Sequence, residues 1–241
     1  MKYKKITVGF ILFTLTLIIT ACGATTRGSG TIITESRTVS DFDTVELLAS
    51  GDLIITQGES ESLIVEVDDN IMQYVNSDVR DGTLYLSVGE DGKSFSYTKL
   101  VFTLTVKELS GLTATGSGDI TAANLKADHF DVDVTGSGKV AIDTLVTETL
   151  NVQISGSGDV SIAGETQSQT AVIKGSGEYT AGDLSSKTAV MDISGSGTAT
   201  IWVTDSLDAK IAASGDVSYY GSPAVSSDVT GSGEINELGD K

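Results

Sequence analysis

The chain has 241 residues, 39% of them hydrophobic, with 27 glycines, one proline and a formal net charge of −18. That length holds one large domain or two small ones, and the apolar content suffices for a core built from small and β-branched side chains. So negative a surface excludes nucleic acid, whose phosphates need a basic face, and gives no attraction to anionic lipid.

Lys2, Lys4 and Lys5 precede an apolar run from Ile6 to Ile19, followed by Thr20, Ala21 and Cys22. A charged start and a short apolar core predict a secretory signal over residues 1–21, the run being too short and wrongly flanked for a membrane span. Ile19-Thr20-Ala21-Cys22 resembles the bacterial lipobox, which implies cleavage before Cys22, the lipid attachment residue. The alternative is a chance cysteine in an ordinary signal. Cys22 is the only cysteine, so no intramolecular disulfide can form. Cleavage removes three lysines and no acid, taking the charge from −18 to −21. The acyl chains supply the membrane partner, and the expected location is the cell membrane or outer membrane, outside the cytoplasm.

Residues 22–40 are polar and read as a lipid-anchored tether. Over 41–110 the expectation is an N-terminal β cap with the first coils: strands at Ser62–Val67, TLYLSV and LVFTLTV, a short helix at Asn70–Val75, and one Ala49-Ser50-Gly51-Asp52 phrase. Residues 111–238 form β-helix repeats, continuous with 41–110 in one domain.

The repeats are marked by a Gly-Ser-Gly phrase whose first position falls at Gly116, Gly136, Gly156, Gly175, Gly195, Ala213 and Gly231, in steps of 18 to 20 residues. A fixed period of this size marks a solenoid, in which each unit buries its apolar side only by stacking on its neighbours. Around the second phrase Val132, Val134, Gly136, Gly138, Val140 and Ile142 share one parity. Strand side chains alternate faces, so the glycines point inward and Thr135, Ser137 and Lys139 outward. An inward glycine marks a bend or a close backbone approach. Gly-Ser-Gly is therefore a corner. A third side carries Leu125, Leu145, Leu184 and Leu207. The fold class is all-β: a single-stranded parallel β-helix, right-handed by the crossover rule, with an irregular β cap covering its first coil.

The ordered set FDTVELLASGDLIITQG, DGTLYLSV, LTVKELSGLTATGSGDI, the serial GSGD-like corners and YYGSPAV resembles the bacterial head GIN domain family of auto-transporter adhesins, usually secreted proteins or lipoproteins. The resemblance runs from about Thr31 to Leu238 and implies a parallel β-helix in the envelope. It carries no catalytic mechanism.

Functional candidates lie on outward residues. One column after the corners reads Asp52, Asp119, Lys139, Asp159, Glu178, Thr198, Asp216 and Glu234. Its carboxylates Asp119, Asp159, Glu178, Asp216 and Glu234 offer oxygen ligands to a weakly bound calcium; the competing reading is a solvated acidic face that keeps the sheet from pairing with another. Trp202 and Tyr220 fall outward in successive coils, with Leu238 next, as a candidate surface contact for a glycan or an envelope protein. In the competing reading the Ser222-Pro223 loop or the C-terminal tail covers them. His129 is the only histidine and is expected to be exposed. Gly-Ser-Gly between strands lacks the following helix and lysine of a phosphate loop. A non-enzymatic binding, adhesion or structural module is expected; a polysaccharide lyase or hydrolase on the same scaffold, or a self-assembling module, are the alternatives. A mature chain with only Arg27, Arg37 and Arg80 as arginines, and so negative a body, is poorly suited to acidic sugars.

Overall fold

A computed structural model describes residues 25–89 and 93–241. The signal segment and Cys22 lie outside the described residues. The chain forms β1 (Thr25–Arg27), β2 (Ile32–Arg37), β3 (Thr44–Leu47), β4 (Asp52–Gln57), β5 (Ser62–Asp68), β6 (Val75–Arg80), β7 (Thr83–Val88), β8 (Ser94–Ser96) and β9 (Leu100–Val106). The coils follow as β10 (Gly111–Ala114), β11 (Ile120–Lys126), β12 (His129–Val134), β13 (Lys139–Ile154), β14 (Asp159–Ile173), β15 (Glu178–Ile193), β16 (Thr198–Ile211), β17 (Asp216–Tyr220), β18 (Ala224–Val229) and β19 (Ile235–Glu237). No α-helix occurs among the described residues, and the helix expected at 70–75 is one 3-10 turn at Met72–Tyr74.

From β10 onward each coil pairs in parallel with the next, as in Lys139↔Asp159 and Val152↔Ala171. This is the parallel β-solenoid that the period predicts. Its sides bend by bulges, as between Ile142 and Leu145, and the Gly-Ser-Gly corner is the one full break per coil through β13–β16. A second, softer bend is held by buried hydroxyls: Thr147 Oγ1 lies 3.1 Å from the carbonyl oxygens of Asp128 and Thr149, and Thr166 Oγ1 3.2 Å from that of Glu148. Each buried hydroxyl thereby finds acceptors on the backbone of its own coil and the coil before it.

The corners stack backbone on backbone. Ser157 N–H donates to the Gly136 carbonyl at 3.2 Å, Ser176 to Gly156 at 3.1 Å and Ser196 to Gly175 at 3.0 Å. A Cβ at Gly136 would lie 1.9 Å from the Gly116 carbonyl oxygen, and one at Gly138 2.1 Å from that of Gly118. The glycines do share the inward parity, but what they must avoid is the main chain of the coil below. The second glycine also rests on a core side chain one coil down, Gly177 over Ile154 and Gly197 over Ile173. Ala213 keeps the ladder, with Ser214 N–H 3.3 Å from the Gly195 carbonyl.

The first coil is β3–β4. Its Ala-Ser-Gly-Asp phrase lies under the first Gly-Ser-Gly, since a Cβ at Gly118 would meet the Gly51 carbonyl oxygen at 2.1 Å. The chain then leaves the solenoid to build the cap: β7 and β9 pair with β3 and β4, and β5, β6 and β2 add antiparallel strands. One apolar core runs without interruption from the cap to the last coils. At the far end β18 carries Val225 and Val229 at inward register on Leu207 and Ile211, yet each is over 40% exposed.

Two expectations are corrected. Residues 25–37, read as tether, are folded: β1 pairs with β8, and β2 lies antiparallel on β5. The buried Asp68 carboxylate holds them, accepting from Gly30 N–H at 2.6 Å and Thr98 N–H at 2.7 Å, with Gly28 so close that a Cβ would collide at 2.5 Å. Leu207 does not continue the leucine column. It stacks on Ala189 in the Phe130 column, because register shifts in β15 and β16 move it. Leu125, Leu145 and Leu184 do share a column, with Gly164 (φ +124°) in the leucine's place one coil earlier than Leu184.

Two outcomes follow. Gly156→Ala, whose Cβ would sit 2.2 Å from the Gly136 carbonyl oxygen, costs about 3 kcal/mol in urea unfolding, whereas Ala213→Gly costs less than about 1 kcal/mol. Burial would raise the Asp68 carboxyl, but donated N–H bonds from Thr98, Gly30 and Lys99 outweigh it and hold it below its ordinary 3.8. A depressed carboxyl stabilises above its unfolded value and loses that contribution as pH falls through its folded one. Amide protection at Gly30 and Thr98 therefore drops as pH falls below 3.8, and Asp68→Asn removes that pH dependence.

Candidate functional site

The acidic column has an internal use. Asp119 Oδ1 accepts from the Lys139 N–H one coil up at 2.9 Å, Asp159 Oδ1 from Glu178 N–H at 3.1 Å, and Asp216 Oδ1 from Glu234 N–H at 2.9 Å. Where the residue below is not aspartate, the amide turns to a corner glycine: Asp159 N–H above Lys139, Thr198 N–H above Glu178 and Asp216 N–H above Thr198 reach the carbonyls of Gly138, Gly177 and Gly197 at 3.2–3.3 Å. Aspartate is short enough to reach the next amide, while the longer Glu178 side chain instead accepts from Thr180 Oγ1. Asp119, Asp159 and Asp216 thus start the strand of the next coil by satisfying a donor at its beginning. Among the described residues no group of three or more His, Cys, Asp or Glu is arranged to hold a metal ion.

Trp202 and Tyr220 are register partners on adjacent strands and both half-buried. Across from them β15 bulges: Ala181 pairs with Ile201, but the next partner, of Trp202, is Ser185, so Gly182, Asp183 and Leu184 have no register partner on β16 and Asp183 stands exposed. The lack of a side chain at Gly182 admits the Tyr220 ring, which a Cβ there would meet at 3.3 Å. The tail closes over this place. Gly221 N–H donates to the Gly239 carbonyl at 3.0 Å, and the Lys241 ammonium lies 5.8 Å from the Trp202 ring centroid and 5.0 Å from that of Tyr220. The same ammonium donates to the Gly182 carbonyl and pairs with Asp183. Leu238, expected next in the aromatic column, is exposed and donates its N–H to the Tyr219 carbonyl.

Beneath Trp202 lies a polar chain that the sequence did not announce. Tyr179 OH donates to Gln169 Oε1 at 2.9 Å, Gln169 Nε2 to Ser186 Oγ at 2.8 Å, and Ser186 Oγ to the Trp202 carbonyl at 2.8 Å. Burial pushes the Tyr179 phenol far up, so it remains a neutral donor. The chain fixes the Trp202 backbone from inside the core.

His129 is half-exposed, as expected, but not isolated. Its Nε2 lies 2.9 Å from Asp131 Oδ1 and its Nδ1 2.8 Å from Thr149 Oγ1. The order Thr, His, Asp has the form of a nucleophile, base and orienting acid. Yet the N–H groups of Glu148 and Thr149, nearest to stabilise an oxyanion, both donate to the Asp128 carbonyl. His129 alone of the three borders an open groove of about 1070 Å³ lined by Gln57, Lys107, Leu109, Lys126 and Val146 among others. The groove exists because the chain departs for the cap after Gln57, leaving the first coil without a third side. The Gln57 amide takes over part of that missing strand's pairing, donating to the carbonyls of Lys107 and Lys126 and accepting from Lys126 N–H.

A β-solenoid with polar outer faces, one outward aromatic pair and no converging acid cluster among its described residues has the form of a surface-presenting scaffold. The family model "Putative auto-transporter adhesin, head GIN domain" matches residues 41–223, and the chain belongs to that family. Among solved structures, a "putative adhesin" from Bacteroides fragilis is 31% identical with a TM-score of 0.84, over 88% of this chain and 100% of that one. Another from Parabacteroides merdae is 27% identical with a TM-score of 0.73, over 89% and 99%. A "putative lipid binding protein" from Parabacteroides distasonis, 24% identical with a TM-score of 0.76 over 89% and 100%, shares the fold. No curated protein matches the chain. The family and these adhesins are named for attachment at the cell surface and not as enzymes.

Asp159→Ala strands the Glu178 amide at the surface and costs about 0.5–1 kcal/mol in thermal unfolding. Added calcium leaves the melting temperature of the unsubstituted protein unchanged, because the column's aspartates are committed to amides.

Proposed function

We propose that the chain is a lipid-anchored adhesin of the bacterial cell envelope, without catalytic activity, that presents the side of its β-solenoid to a glycan or protein partner. The observation that carries this reading is the Trp202–Tyr220 pair. Of the five aromatic residues in 111–241, Phe130, Tyr179 and Tyr219 are buried, and these two alone crowd outward. Half-buried aromatic rings on a rigid scaffold give contact area at low entropic cost.

Lipid anchoring is supported by the lipobox at Cys22. Only Gly23 and Ala24 separate Cys22 from β1, about 10 Å of extended chain. A lipid on Cys22 holds the capped end at the membrane and turns the open β18–β19 end outward, with the aromatic pair near that distal end. A second reading, self-assembly, is favoured by the free edges of β18 and β19 and by exposed Val225 and Val229, since unpaired strand edges invite pairing.

The mature soluble form, screened against glycans and envelope proteins, finds a partner that Trp202→Ala binds at least about tenfold more weakly; equal binding by the variant removes the pair from the contact. Cys22→Ser moves the protein from the membrane fraction to the soluble one, and membrane retention by the variant contradicts the lipid anchor. Sedimentation of the soluble form as a stable dimer would favour self-assembly.

A further inference from the structure

Trp202, Tyr220, Asp183 and the Gly182 carbonyl share one physical property. The two ring faces carry negative potential, the carboxylate a full negative charge, and the carbonyl an acceptor, so the four together suit a cation with N–H donors. The Lys241 ammonium sits there, within 5.8 and 5.0 Å of the ring centroids and in contact with both Asp183 and Gly182. Elsewhere Arg80 lies over the Tyr85 ring and Lys93 over that of Tyr74. Here two rings, an acid and a carbonyl surround one ammonium. The Lys241 side chain is 29% exposed, against 79% for Asp183, so the ammonium is held inward and the acid stands at the rim.

The cage is assembled by features with no other evident purpose. The Gly182–Leu184 bulge brings an acid and a free carbonyl opposite the rings, glycine at 182 makes room for Tyr220, and the Ser186–Gln169–Tyr179 chain fixes the Trp202 backbone. Lys241 itself belongs to a short surface tail, held by the Gly221–Gly239 bond and by Ser222 Oγ donating to Asp240. A side chain on such a tail can swing out while the cage stays built.

We propose that Trp202, Tyr220, Asp183 and the Gly182 carbonyl form a binding site for a primary alkylammonium group, and that Lys241 occupies it in cis until a partner's ammonium displaces it. The carbonyl and carboxylate contacts select a group with N–H donors, so a quaternary ammonium is a poor ligand. Two sources carry the chemistry, a lysine side chain on a partner protein or a free polyamine. The proposal rests on the reading of Trp202 and Tyr220 as a partner contact and names that contact's chemistry.

Trp202 is the only tryptophan, so intrinsic fluorescence reports on the cage directly. The mature chain carrying Cys22→Ser is titrated with N-acetyl-lysine methylamide, putrescine and tetramethylammonium, alone and with Lys241→Ala. Removing the tethered competitor lowers the apparent Kd for the primary ammonium about tenfold. In that background Asp183→Asn raises it about tenfold, and tetramethylammonium binds at least about tenfold more weakly. Tighter binding of the lysine amide assigns the source to a protein, tighter binding of putrescine to a polyamine, and either supports the shared chemistry. A Lys241→Ala protein that keeps its circular dichroism but shows no saturable fluorescence change overturns the site. Equal binding of tetramethylammonium overturns the N–H selectivity. Failure here with a positive glycan or protein screen would leave adhesion standing and remove only the ammonium chemistry.

Discussion

The contact on which the rest of the molecule depends is main chain against main chain at the Gly-Ser-Gly corner. With 1.9 to 2.3 Å between a hypothetical Cβ and the carbonyl below at Gly136, Gly138, Gly156 and Gly158, no other residue allows the coils to approach so closely there without a shift. From Ser137 onward the approach brings each corner serine amide to the carbonyl of the previous coil, so the sheet hydrogen bonding passes through the corner instead of stopping at it. Register is then locked once per turn. The alternation on either side follows, valines and isoleucines inward and polar residues outward, and a slip of one residue would reverse every side chain.

The cap and the functional surface are consequences of where this rule is suspended. The stack starts correctly with Ala-Ser-Gly-Asp, then the chain leaves the first coil after Gln57 to build β5–β9, closing one end and opening the groove beside His129. At the other end, inward-register residues of β18 are exposed among the described residues. The solenoid therefore has a direction: a closed base at the cap and a far region where the aromatic pair, the tail and the strand edges of β18 and β19 lie together.

Much of this was readable from residue types alone. The 18–20 residue period and the parity of valines with glycines sufficed for the solenoid and its corners, and the ordered motifs from FDTVELLASGDLIITQG to YYGSPAV carried the family resemblance. What was not readable depends on partners distant in the chain or on small length changes. The folded state of residues 25–37 hangs on Asp68, some forty residues on, which no local pattern reveals. Leu207 looks like one more leucine in a column, but extra residues in the β15 bulge shift it to another. The aspartate column reads from sequence as a solvated acidic face or a calcium ladder, and its bonds to the next coil's amides appear only once the coils are stacked; the choice of Asp over Glu was the available signal. Trp202 and Tyr220 were visible as outward residues, whereas Lys241 and the Gly182–Asp183 bulge meet them only through the last turn of the chain.

The most direct test of the central constraint is native-state hydrogen exchange at the corner serine amides, Ser137, Ser157, Ser176, Ser196 and Ser214. If the corners are rungs of one continuous ladder, these amides are protected to the same order as those of the adjoining strand residues Val152, Val172 and Asp192. Exchange at the rate of an unstructured peptide, with the neighbouring strands still protected, would show that the corners are loose turns and would contradict the account.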